Sequence, residues 1–121
     1  MSSLQVRRPS VIHRVCLGKS YEGRDIELVA ISSAPIEEER PEILLMAGAH
    51  PREQQPTTCL INLMDELVEG YGRDDRITRL VDSRRIWILP TLNVDGKVYD
   101  MQNGNGIAAL TFCEVPMSNG P

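Results

Sequence analysis

Ile43-Leu44-Leu45-Met46-Ala47-Gly48 is an apolar run without alternation, and the chain passes from it directly into Ala49-His50-Pro51-Arg52-Glu53. Such a run suits a strand covered on both faces, as in an α/β sheet. Behind it stands the clearest helix. Leu60, Ile61, Leu63, Met64, Leu67 and Val68 recur at the three-and-four spacing, with Asn62, Asp65, Glu66 and Glu69 turned away. Pro56 falls in its first turn, where a missing N–H costs nothing, and Gly70 is placed to end it. A shorter helix follows, capped by Asp74 or Asp75, with Ile77, Leu80 and Val81 on one face. Ile86-Trp87-Ile88-Leu89 is a second buried strand, stopped by Pro90. Strand, loop, two helices, strand is a crossover unit, and a right-handed crossover lays its two strands parallel in one sheet.

Upstream, Val11 to Leu17 reads as a strand and Gly18 to Arg24 as a turn. Ile26 to Ile31 follows as a second strand, antiparallel to the first. Ser33 to Pro41, with Pro35 and three consecutive glutamates, reads as an exposed loop. Downstream, Asn93-Val94-Asp95-Gly96 carries strong turn chemistry, because Asn and Gly both accept left-handed geometry. The expected fold class is α/β: a mixed sheet with an antiparallel edge hairpin and parallel central strands flanked by helices. No internal repeat or low-complexity segment interrupts it.

The 121 residues suit one domain, able to bury roughly two thirds of its unfolded surface. A hydrophobic fraction of 41% and a charged fraction of 25% are those of an ordinary soluble globular protein. A net charge of −4 and a pI near 5.1 argue against nucleic-acid binding, which needs a basic face. The arginines are scattered; the pairs Arg7-Arg8 and Arg84-Arg85 read as solvated surface or strand-end charges. No apolar run approaches the ~18–20 residues of a spanning helix, so no membrane partner is expected. The start, Met1 to Pro9, lacks the apolar core of a secretory signal. Cys16, Cys59 and Cys113 are odd in number and widely spaced, which implies no disulfide framework. The expected location is cytoplasmic, or secreted if a leader precedes Met1. No feature sets an oligomeric state.

His50-Pro51-Arg52-Glu53 is the constellation that asks for a chemical reading. Imidazole and carboxylate are both good zinc ligands, and a catalytic zinc keeps three protein ligands and a water. Two donors three residues apart converge on one ion when they sit on a tight turn entering a helix. As a bare pattern this is weak: with two histidines and ten glutamates it arises by chance in roughly one such sequence in six. Position strengthens it, because His50 lies just past the carboxyl end of the most apolar strand, where open α/β sheets bind ligands. The other reading is that His50 and Glu53 only cap or hydrogen-bond the helix start. Both stand on pattern and position alone.

Three stretches resemble the zinc carboxypeptidase family, in order and at similar spacing. Gly18-Lys19-Ser20-Tyr21-Glu22-Gly23-Arg24-Asp25-Ile26 resembles its entry hairpin. Gly48-Ala49-His50-Pro51-Arg52-Glu53 resembles its His-x-Arg-Glu zinc motif. Asn93-Val94-Asp95-Gly96 resembles its Asn-Pro-Asp-Gly turn, with Val94 in place of proline. The resemblance covers roughly residues 11 to 100, leaving 1–10 as an N-terminal extension and 101–121 as a divergent or truncated tail. It implies the first part of a zinc-carboxypeptidase-like catalytic domain.

By that resemblance His50 and Glu53 are zinc ligands and Arg52 contacts the substrate, its forked donors suiting a peptide carbonyl or carboxylate. The implied cofactor is Zn2+ in a His2Glu set, and the implied substrate is a peptide or protein C-terminus. Asp95 and Gly96 are read as structural. The family's third ligand is a histidine far downstream, and no histidine follows His50. His13, on the first strand, is expected to face solvent or a loop rather than complete the site. The general-base glutamate is likewise not matched, so no catalytic residue is assigned, and turnover by these 121 residues alone is not expected. The alternatives are a related zinc amidohydrolase or deacylase, against which the Ser-Tyr-Glu-Gly-Arg hairpin speaks, and an inactive fragment acting at most as a binding module.

Overall fold

The computed structural model of the chain describes residues 10–103; the expected 101–121 tail lies outside them beyond Asn103. The described elements are β1 (Ile12–Lys19), β2 (Asp25–Ile31), β3 (Glu42–Met46), α1 (Gln54–Gly70), α2 (Asp75–Ser83), β4 (Arg85–Leu89) and α3 (Val94–Asn103). One four-stranded sheet runs in the order β1-β2-β4-β3. β1 and β2 are antiparallel, as are β2 and β4, while β3 and β4 are parallel. The mixed α/β class expected from the sequence is the one observed.

Register explains the core. Ile12 pairs Ile31, Ile31 pairs Ile86, Val29 pairs Ile88, and Ile86 and Ile88 pair Ile43 and Leu45. Because side chains alternate across a strand, these residues line one face of the sheet. Met64, Leu67 and Val68 of α1 and Val81 of α2 close over them. Ile31 and Ile88 are fully buried, each contributing roughly 1.5–3 kcal/mol relative to exposure.

Both helices of the crossover follow their sequence signals. α1 ends at Gly70, where a Cβ would lie 2.4 Å from Ile77 Cδ1, so the glycine lets α2 fold back closely. Asp74, one of the two expected caps, accepts from the N–H groups of Arg76 and Ile77 at 2.8 and 3.1 Å. Those bonds hold its carboxyl below the usual range. No described helix is long and apolar enough to cross a membrane.

Four expectations change. Asn93-Val94-Asp95-Gly96 is not an isolated turn but the start of α3: Asn93 Oδ1 accepts the Gly96 N–H at 2.8 Å as a helix cap. The helix continues to Asn103. β3, read as covered on both faces, lies at the sheet edge among the described residues, with Ile43, Leu44 and Met46 46%, 54% and 60% exposed. His13 is half-buried rather than solvent-facing, and its Nε2 is shielded without a hydrogen-bond partner. Arg85 opens β4, so the strand-end reading holds, but it is buried rather than solvated. Its guanidinium donates to the carbonyls of Pro35 and Glu38, each at 2.7 Å, and to Glu42 at 2.6 Å, pinning the acidic loop.

Candidate functional site

The site grows from the carboxyl ends of the two parallel strands. Beyond Met46 and Leu89 the backbones stay together: Ala47 N–H donates to Leu89 O at 2.9 Å, and Leu92 N–H to Ala47 O at 3.0 Å. Asn93 N–H then donates to Gly48 O at 2.9 Å. Gly48 makes this approach possible. It sits at φ +68°, and a Cβ there would fall 2.9 Å from Thr91 Cα. Thr57 of α1 is buried beside it, its Oγ1 3.4 Å from the same point and without a hydrogen-bond partner.

His50 through Glu53 form a tight turn closed by Glu53 N–H to His50 O at 3.1 Å. Pro51 is fully buried, whereas His50, Arg52 and Glu53 are exposed around it. Glu53 occupies the cap position of α1, yet its side chain makes no capping bond. Gly96 packs against this turn, since a Cβ on it would stand 2.8 Å from Pro51 Cγ. Gln54 adds a second tie: its Nε2 donates to Pro51 O at 3.0 Å and to Asp100 Oδ2 at 3.3 Å.

Asp95, beside Gly96, reaches the other way. Its carboxylate accepts from Ser20 Oγ at 2.7 Å, Glu22 N–H at 3.0 Å and Arg24 Nη1 at 2.6 Å. Burial pushes this carboxyl up, but the bonds from Ser20, Glu22 and Arg24 outweigh it and hold it below the usual carboxylate range. The entry hairpin, the His50 turn and the α3 start therefore form one cluster, although they lie far apart in sequence. Nothing in the spacing of residues 20 and 95 announces the contact.

The sequence profile described as zinc carboxypeptidase fits residues 1–110. The chain belongs to the zinc carboxypeptidase family. It is 36% identical over 98 residues to a zinc carboxypeptidase of Saccharothrix mutabilis subsp. capreolus, covering 80% of this chain and 23% of that protein. It is also 36% identical over 92 residues to human carboxypeptidase B, covering 75% and 21%. Among solved structures, carboxypeptidase A from Helicoverpa armigera superposes with a TM-score of 0.72 at 28% identity, covering 83% of this chain and 24% of that one. The chain thus spans less than a quarter of the length of these two curated relatives.

Zinc is the metal this family implies. The chemistry of the His50 turn fits part of such a donor set, one imidazole and one carboxylate exposed on the same turn. Among the described residues no group of three or more His, Cys, Asp or Glu side chains comes together as a metal cage. A separate groove, lined by Ile36, Glu38, Arg40, Glu42 and Arg85, opens at the amino ends of β3 and β4, the opposite end from His50. Arg85 is spent there on holding the loop.

Proposed function

We propose that this chain supplies part of the active site of a metallocarboxypeptidase that hydrolyses C-terminal peptide bonds. His50 and Glu53 act as two zinc ligands and Arg52 as a substrate contact. The observation that carries the reading is the exposed His50–Glu53 turn at the carboxyl ends of the parallel strands, with the Glu53 carboxylate not used as a helix cap. The imidazole of His50 and the carboxylate of Glu53 would hold the metal, and Arg52 would orient a substrate carbonyl or carboxylate through its paired N–H donors. Zinc, when bound, polarises a carbonyl and lowers the pKa of a water.

The 121 residues by themselves act as a metal-binding unit without turnover. The peptide substrate and the cytoplasmic location stay part of this proposal, the latter resting on the odd number and wide spacing of the three cysteines.

Metal analysis of the purified chain, with and without Glu53→Ala, tests the ligand pair, and a chelator-sensitive assay on a blocked dipeptide tests turnover. Zinc uptake that Glu53→Ala weakens, with no hydrolysis, is expected. Tight one-to-one zinc that survives Glu53→Ala overturns the ligands, and hydrolysis by the chain overturns the metal-binding-only reading.

A further inference from the structure

α3 begins between two turns that the sequence separates widely. On one side Gly96 abuts Pro51, Asn93 N–H holds Gly48 O, and Gln54 bridges Pro51 O to Asp100. On the other side Asp95 gathers Ser20, Glu22 and Arg24 of the entry hairpin. The hairpin turn is itself braced, because Ser20 Oγ accepts the Arg24 N–H at 3.0 Å while donating to Asp95, and Gly23 N–H donates to Ser20 O at 3.0 Å. Asp95 is therefore the one described side chain here that accepts bonds from three hairpin residues and stands next to the glycine packed on Pro51.

We infer that Asp95 is a positioning residue for the His50 turn: it anchors the start of α3 to the entry hairpin, so that α3 holds Pro51, and with it His50 and Glu53, in one arrangement. This rests on the reading of His50 and Glu53 as the zinc pair. The hairpin motif thereby gains a role in the metal site without touching the metal. Outer partners that orient metal ligands matter because a loosened ligand must be ordered at the moment of binding.

The test compares the full chain with Asp95→Asn, Ser20→Ala, His50→Ala and Asp74→Ala. The last removes the α2 cap, a change unconnected to the His50 turn. Two readouts are taken at a temperature where the parent is folded: 15N order parameters of the amides at positions 49, 50, 52 and 53 without metal, and Zn2+ affinity from isothermal titration calorimetry. Asp95→Asn should lower the order parameters of the turn from about 0.85 towards about 0.6 and weaken zinc about tenfold, the low end for outer-sphere partners. Ser20→Ala should do so to a lesser degree, and Asp74→Ala should do neither. Unchanged order parameters in both Asp95→Asn and Ser20→Ala overturn the inference, and Ser20→Ala alone decides it if Asp95→Asn does not fold. If His50→Ala keeps the parent zinc affinity, the zinc pair is overturned instead, and the order parameters still decide the clamp.

Discussion

Arg24 Nη1 lies 2.6 Å from Asp95 Oδ1 across 71 positions of sequence, joining the tip of the β1–β2 hairpin to the first turn of α3. The Asp95 side chain is 11% exposed and that of Arg24 36%, so the pair is screened on one side only. Its contribution rests less on the ion pair than on three donors meeting one carboxylate.

Asp95→Asn should cost about 1–2 kcal/mol at neutral pH, because the amide oxygen still accepts a bond but the charge is lost. The sign of the pH dependence follows from the lowered carboxyl. A group with a depressed folded-state pKa contributes fully above its unfolded value of about 3.9 and loses that contribution as pH falls through the folded value. Denaturant midpoints of parent and variant should therefore differ most above pH 5 and converge below about pH 4.

Gly48→Ala meets both a φ of +68° and a backbone atom 2.9 Å away, the Thr91 Cα. Strain and overpacking together should cost about 2–3 kcal/mol. Thermal unfolding measures the loss, and the Asn93 amide, which donates to Gly48 O, should exchange faster than in the parent.

Arg85→Met keeps the stem of a buried side chain while removing the bonds to Pro35 O, Glu38 O and Glu42. A loss of about 2–3 kcal/mol is expected, since two carbonyls lose charged donors. Limited proteolysis should then cut within residues 35–41 at protease levels that leave the parent intact.

Leu44→Lys places a charge on the exposed edge strand β3, where Leu44 is 54% exposed. Edge strands with apolar side chains and open backbone groups template pairing with other chains, and a lysine there blunts it. Light scattering against concentration should show less self-association than the parent, with little change in the unfolding midpoint.

Much of the fold is written locally. The apolar stripe from Leu60 to Val68 and the cap Asp74 define their helices because period and capping are properties of neighbouring residues. α3 is hidden because Val94 to Asn103 has only weak amphipathic order and its cap, Asn93, looks the same as a turn asparagine. The edge position of β3 is hidden for another reason: an apolar run reports what a strand is made to face, not which strands stand beside it. His50, Arg52 and Glu53 fall on the exposed turn that the end of the apolar run predicts. The three-way hold on Asp95 is invisible in sequence, since no spacing rule links a hairpin tip to a helix start.

That hold also has a place in time. The hairpin pair Arg14 and Glu27 closes a loop of 13 residues, whereas the Arg24–Asp95 pair closes one of 71. Closure entropy rises as the logarithm of loop length, so the longer contact carries about 1.5 kcal/mol more of that cost. Loop closure thus predicts that the β1–β2 hairpin forms first and that the three sequence motifs cluster later. On that order Asp95→Asn should speed unfolding and leave the folding rate nearly unchanged, a φ-value near zero in stopped-flow kinetics.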